Sequence, residues 1–345
     1  MKAQAKWLLV CGTATALALS PATAFADRRH GGTSQGNYES TGKQSGGALE
    51  SRITYSGSTR GSGTTAKAVT PVGNWTPPAC WYEPISAEEF AKRTETGYDD
   101  VVNDPAQPNY AKTATAQYRD IYKDGEYKNY NIDKKDEGNW WVAVQDDSRL
   151  DEPGAWDCSD LPFWVENGDT PQGKNAVTPQ ILAELAYNRI QLPTTDVTLA
   201  PAGTTKVNLP TWAWLDKADF KEVSVTAALN VNGVNIQATT TAKPVSLRLE
   251  PGTPDAATYP ASGTCAMNND DSIGEPYAKG KADRTPPCGL RYLRSSGNSP
   301  FKLQATVTWE IRWTGTGNPK PTQLPEGTFG NAQDVTVQEI QSVNR

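Results

Sequence analysis

Phe301-Lys302-Leu303-Gln304-Ala305-Thr306-Val307-Thr308-Trp309-Glu310-Ile311-Arg312-Trp313 decides the fold of the C-terminal half. Val307, Trp309, Ile311 and Trp313 fall on one face of an extended chain, and Thr308, Glu310 and Arg312 on the other. Successive side chains of a strand point to opposite faces. One apolar and one polar face describe a half-buried strand of a two-layered β-structure. The period of two extends upstream through Val197–Leu199, Lys206–Leu215, Glu222–Leu229, Val234–Thr241, Val245–Leu249 and Leu290–Leu293. Asn232-Gly233 is a hairpin turn signal. Val335, Val337 and Ile340 suggest a closing strand. Residues 195–345 therefore read as a β-sandwich domain.

Residues 77–194 read as a small mixed α/β domain. Ser86-Ala87-Glu88-Glu89 is a capping box that starts a short helix through Lys92. Tyr110, Ala114, Gln117, Tyr118 and Ile121 recur at helical spacing, with Gly125 as the stop. Thr178-Pro179 caps a third helix, Gln180 to Arg189. Asn139 to Val144 reads as a strand. Its adjacent Trp140 and Trp141 must point oppositely, so at least one needs a second surface.

The start of the chain has a different composition. Lys2 and Lys6, the apolar run Trp7 to Leu19 and the closing Ala24-Phe25-Ala26 read as a secretory signal peptide over residues 1–26. That run is too short to span a bilayer. Cys11 lies within it and follows Val10, which does not suit lipid attachment. Residues 27–76 are rich in Gly, Ser and Thr and are expected to be a disordered leader. The expected localisation is secreted or extracellular, with association at the cell surface as the other setting. That setting disfavours ATP- and NAD-dependent chemistry.

The net charge of −6 becomes −8 without Lys2 and Lys6. Such a balance argues against a nucleic-acid or anionic-membrane binder. Outside the signal peptide four cysteines remain: Cys80, Cys158, Cys265 and Cys288. An even count in an exported chain suggests two disulfides, with three pairings open. Chain order and the domain split favour Cys80–Cys158 and Cys265–Cys288. The four are too scattered for a zinc knuckle.

Asn208-Leu209-Pro210-Thr211-Trp212-Ala213-Trp214-Leu215-Asp216 resembles a motif of secreted actinobacterial proteins that carry labels such as "ATP/GTP-binding protein" or "secreted protein". The resemblance extends to Thr178-Pro179-Gln180, Leu185-Ala186-Tyr187, Cys288 with Tyr292, Ala305 to Trp309, and Glu339-Ile340-Gln341. It covers about residues 77–345. The Cys288–Trp309 stretch also resembles the end of a PKD-type immunoglobulin-like sandwich, although Leu249-Glu250-Pro251-Gly252 stands where relatives carry a Trp-Asp-x-Gly-Asp-Gly turn. The resemblance implies export and a β-sandwich, and supplies no catalytic residue. The expected class is thus α+β: a mixed α/β domain followed by an immunoglobulin-like (PKD-like) β-sandwich.

Gly168-Asp169-Thr170-Pro171-Gln172-Gly173-Lys174-Asn175 approaches a phosphate-binding loop, but Asn175 replaces the Ser or Thr that holds Mg²⁺. It reads as a solvated turn, and no nucleotide or other cofactor is expected. His30 is the only histidine, so a Ser-His-Asp or Cys-His site lacks its imidazole. Asp146-Asp147, Asp151-Glu152, Asp157 and Asp160 accompany Trp140, Trp141, Trp156 and Trp164, which would suit a sugar cleft. Asn268-Asn269-Asp270-Asp271-Ser272 with Glu275 is oxygen-rich but lacks the spacing of a calcium loop. Trp212 and Trp214 share a strand face, and Pro210 argues for an edge. They are the candidate ligand-binding pair, with packing as the competing role. No catalytic residue or metal ligand is assigned. The expected function is a secreted, non-enzymatic binding or assembly protein, whose partner is an extracellular protein or cell-wall polysaccharide. The alternative is a carbohydrate-binding or carboxylate-dependent glycoside-cleaving cell-wall protein.

Overall fold

The computed structural model describes residues 52–57, 66–68, 70–72, 76–193, 196–215 and 220–339. The expected signal peptide, His30 and most of the leader lie outside them, as does Ile340. In chain order the elements are β1 (Thr54–Gly57), β2 (Ala66–Ala68), β3 (Thr70–Pro71), β4 (Cys80–Ile85), α1 (Ala87–Asn103), α2 (Asn109–Lys123), β5 (Gly138–Gln145), β6 (Phe163–Glu166), α3 (Pro179–Arg189) and β7 (Gln191–Pro193). They continue with β8 (Thr198–Ala200), β9 (Thr204–Lys206), β10 (Thr211–Leu215), β11 (Val223–Val231), β12 (Val234–Glu250), β13 (Ala256–Tyr259), β14 (Thr264–Ala266), β15 (Ile273–Gly274), β16 (Gly289–Tyr292), β17 (Phe301–Gly315) and β18 (Asn318–Gln338). The fold is α+β, with mostly antiparallel sheets.

The helix starts follow their caps. Ser86 Oγ accepts the Glu89 N–H at 3.2 Å, and Thr178 Oγ1 accepts the Ile181 N–H at 3.2 Å. Each satisfies an N–H that the first helical turn leaves without a partner. α1 runs past Lys92 to Asn103 and buries Phe90, Ala91, Thr94 and Gly97 along one stripe. It stops before Asp104-Pro105, because the residue before a proline disfavours helical backbone. At the end of α2, the Gly125 N–H donates to the Asp120 carbonyl at 2.6 Å.

β4, β5 and β6 form a three-stranded antiparallel sheet. On one face Trp140 meets Phe90 at 4.6 Å, Tyr127 at 4.6 Å and Tyr122 at 5.0 Å between ring centres, closing a small aromatic core under α1 and α2. On the other face Trp141 joins the main core.

That main core lies on the largest sheet, ordered β1-β11-β12-β17-β18-β3. Val223, Val225, Ala227 and Leu229 of β11, and Leu303 through Trp313 at every second position of β17, are buried as the alternation requires. β12 is one strand where two were expected, Val234–Thr241 and Val245–Leu249. A bulge between Pro244 and Ser246 shifts its inward residues from Ala238, Thr240 and Ala242 to Leu247 and Leu249. One extra residue reverses the parity of a strand, so the same face stays apolar. A smaller sheet, β13-β16-β10-β15 with β8 beside β10, contributes Ala213, Leu215, Leu290 and Tyr292 to the same core.

Two expectations about organisation change. The boundary at 194/195 is not a break in the core. α3 packs on β11, β12 and β17, and Thr240 Oγ1 donates to the Ala183 carbonyl at 2.7 Å. Trp81, Leu182 and Leu185 share one core with Val307 and Trp309. Nor is the leader unstructured throughout residues 27–76. β1 pairs antiparallel with β11, and Ile53 and Tyr55 are buried. β2 pairs with β7 and β3 with β18. Composition hid this, because two apolar side chains suffice when an existing sheet edge supplies the backbone partners.

Candidate functional site

The Cys80–Cys158 disulfide, with 5.9 Å between Cα atoms, ties the start of β4 to the segment after β5. Cys265–Cys288 closes the second loop, with 5.6 Å between Cα atoms. These are the two pairings that chain order favoured. Around the first bridge lies an open cleft of about 430 Å³. Its lining includes Pro78, Arg149, Glu152, Asp157, Lys174 and Glu184.

Each polar group is held from its own element. Asp146 follows β5, and its Oδ1 accepts the Ser148 N–H at 3.1 Å, which turns the chain into Asp147–Arg149. Arg149 is buried and grips Glu152 through two bonds of 2.8 and 2.6 Å, while Nη1 donates to the Pro78 carbonyl. Those bonds from Arg149 hold the Glu152 carboxyl below its ordinary value. Lys174 Nζ lies 3.9 Å from Asp157 Oδ2, and both side chains are exposed. Asn175, in left-handed backbone at φ +62°, donates to the Cys80 carbonyl at 3.3 Å. From α3, Glu184 accepts Gln180 Nε2 at 3.0 Å, and burial raises its carboxyl above the usual value.

Lys174 thus belongs to the cleft but not to a phosphate loop. Gly168–Asn175 folds as turns, with Asp169 N–H on Glu166 and Ala176 N–H on Gly173, and no helix follows until Pro179. Of the carboxylates noted in the sequence, Glu152 and Asp157 line the cleft. Asp146 is buried, and the Asp160 N–H donates to the Tyr82 hydroxyl at 2.8 Å. Asp147 and Asp151 are exposed. Trp156 is 51% exposed on the short turn Pro153–Trp156, which also supplies Pro153 and Gly154 to the cleft. Trp140 and Trp141 are core, and Trp164 packs edge-on to Trp140 at 5.5 Å. Glu184 was missed, because an isolated Glu on a helix gives no signal; only its position among Leu182, Ala183, Leu185 and Ala186 hints at burial.

Trp212 and Trp214 do not form an exposed pair. β10 is not an edge: Trp212 pairs with Ala200 on one side and Gly289 on the other. Trp212 is only 2% exposed, covered edge-on by Tyr277 at 6.0 Å and by Lys281 Nζ at 5.3 Å from its centre. Trp214 is half-buried. Pro210 precedes the first paired residue, so it costs the ladder no N–H. In the Asn268–Ser272 loop, Asp270 accepts the Ser272 N–H and hydroxyl, and Asn268 donates to the Gly274 carbonyl. Among the described residues no group of three or more His, Cys, Asp or Glu is placed to hold a metal ion, and no helix is long and apolar enough to cross a membrane. The chain matches no family model, no curated protein and no solved structure.

Proposed function

We propose that the chain is an exported, non-enzymatic binding or assembly protein of the extracellular space or cell surface, and that the cleft beside Cys80–Cys158 takes its ligand. The observation that carries this is the pairing inside the cleft. Arg149–Glu152 and Lys174–Asp157 are set on a disulfide-tied base with the exposed indole of Trp156 on the adjoining turn. Groups already paired offer a polar surface without a poised nucleophile, and an exposed indole can stack on a sugar ring. A cell-wall polysaccharide is the ligand class this suits. The two disulfides support export. The two packed antiparallel sheets support an immunoglobulin-like, PKD-like reading of the C-terminal region and its resemblance to secreted actinobacterial proteins.

One observation favours the second reading, a carboxylate-dependent glycosidase. Glu184, whose carboxyl burial raises above its usual value, lines the same cleft as Asp157 and Glu152, and glycoside cleavage works with two carboxyl groups of which the acid has a raised value. The test is retention of the full exported chain on insoluble cell-wall polysaccharide. Trp156→Ala and Lys174→Glu should each lose retention with an unchanged melting temperature. Retention by both variants would reject the cleft. Release of reducing ends, abolished by Glu184→Gln, would replace binding by catalysis.

A further inference from the structure

Away from that cleft, the turn between β11 and β12 meets the small sheet β4-β5-β6. Asn232-Gly233 makes this turn, with φ of +34° and +87°, the left-handed backbone that Asn-Gly suits. Asn232 Nδ2 donates to the Lys135 carbonyl at 2.9 Å and to Asn139 Oδ1 at 3.2 Å, and Asn139 Nδ2 returns a bond of 3.2 Å to the Asn232 carbonyl. Asn139, near the start of β5, is 1% exposed and also donates to Asn167 Oδ1 at 3.3 Å. Asn167 follows β6, and its Nδ2 donates to the Asp136 carbonyl at 2.9 Å. Three asparagines thus tie the hairpin tip of the large sheet to the small sheet.

The chain has two Asn-Gly dipeptides, Asn167-Gly168 and Asn232-Gly233, and both asparagines bond to Asn139. Asn-Gly is the dipeptide most prone to lose its side-chain amide, because glycine has no side chain to shield its backbone nitrogen from the asparagine before it. All four residues are exposed to water. The closed joint opposes the reaction. Each asparagine's amide hydrogens are held by carbonyls of other segments, so neither Cγ is free to swing back onto the nitrogen of its own glycine.

We infer that this joint is a self-modification site: local opening exposes Asn167 and Asn232 to deamidation, and the product does not close again. The glycine nitrogen attacks the asparagine Cγ and forms a C–N bond, and the amide nitrogen leaves with the glycine's proton as ammonia. Water then opens the cyclic imide at either carbonyl, which leaves aspartate or isoaspartate. The new carboxylate is an acceptor only. At position 232 it faces the Lys135 carbonyl and Asn139 Oδ1, two acceptors that lose their donor. Isoaspartate also lengthens the backbone of a two-residue turn, which spoils the pairing that the turn sets. Each event unlatches the hairpin from the small sheet in one direction, with water as the only other reactant.

The experiment ages the full chain in mildly alkaline buffer, folded and in urea, and maps deamidated peptides by mass spectrometry. Both asparagines should convert at least about tenfold more slowly in the folded chain than in urea. Asn139→Ala removes the partner they share, and should speed conversion of the folded chain at both positions at least about threefold. Because Asn139 is buried, a second variant keeps the test independent of its folding. Asn232→Asp, at the surface, should raise hydrogen exchange of the β11–β12 turn and the start of β5 at least about threefold, with β17 unchanged. The charge-shifted fraction of aged wild type should show the same exchange pattern. Equal rates in the folded and unfolded chain would overturn the proposal, as would a folded chain that never converts at either position. Exchange in Asn232→Asp identical to wild type would overturn it too.

Discussion

Trp140 and Trp141 are neighbours in sequence and belong to different cores. The first packs under α1 and α2 with Phe90, Tyr122 and Tyr127, and the second belongs to the main core that α3 and the large sheet share. Trp140→Ala should cost about 3–5 kcal/mol, like other large aromatic deletions. Its loss should fall on the small core: amides of α1 and α2 should exchange faster while those of β11, β12 and β17 keep their protection. Trp141→Ala should loosen the large sheet as well. The same exchange pattern in both variants would refute the separation.

Glu95 gives the helical region an acid-sensitive clamp. Burial alone would raise its carboxyl, but Arg119, Lys123 and the Tyr130 hydroxyl, at 2.8, 2.7 and 2.6 Å, outweigh that and hold it down at about 2. A carboxyl lowered from 4.5 in the folded chain adds stability above its unfolded value, lost as pH falls toward 2. Urea midpoints of the wild type should therefore drop between about pH 4.5 and pH 2 by more than those of Glu95→Gln. Parallel curves would remove the clamp.

The strand β1 should be needed for stability. Ile53 and Tyr55 are buried, the Arg52 N–H donates to Glu83 at 3.0 Å, and the Arg52 guanidinium lies 3.3 Å from Glu89. Removing residues up to Gly57 should cost about 3–5 kcal/mol of burial. Trypsin should spare Arg52 in the folded protein. Rapid cleavage there, or an unchanged melting temperature after truncation, would contradict the docking of this strand.

Trp212 and Trp214 should separate by their burial. Trp212→Ala removes a covered ring and should cost about 3–5 kcal/mol. Trp214→Ala, at a half-buried position, should cost under about 2 kcal/mol. Lys281→Ala should uncover Trp212 and red-shift its fluorescence. An equal loss for both indoles would contradict the packing described.

Much of the fold could be read from side-chain period and caps. Ser86, Thr178 and Pro179 mark real helix starts, and Leu303 to Trp313 is buried at every second residue. What escaped has physical causes. β18 passes through Pro319, Pro321 and Pro325, which speak against a strand, yet β17 pairs along one side and proline is tolerated at an edge. β1 owes its structure to a partner far along the chain, which no local window contains. The cleft was half legible: the acids of 146–160 and Trp156 stood out, but Lys174 and Glu184 arrive from other elements, and only the fold brings them there. The two tryptophans of β10 misled because period two shows a shared face without showing what covers it.

The pairing of Thr54 with Ala228 spans 174 residues. A chain made from its N-terminus presents this strand long before β11 exists to receive it. Contacts between such distant residues form slowly, since the intervening loop must close first. The first strand among the described residues is thus among the last that can be seated. Until then Ile53 and Tyr55 stay uncovered, and the sheet keeps an open edge on β11 that another chain could occupy. A short N-terminal strand therefore fixes how long the newly made protein remains open to aggregation.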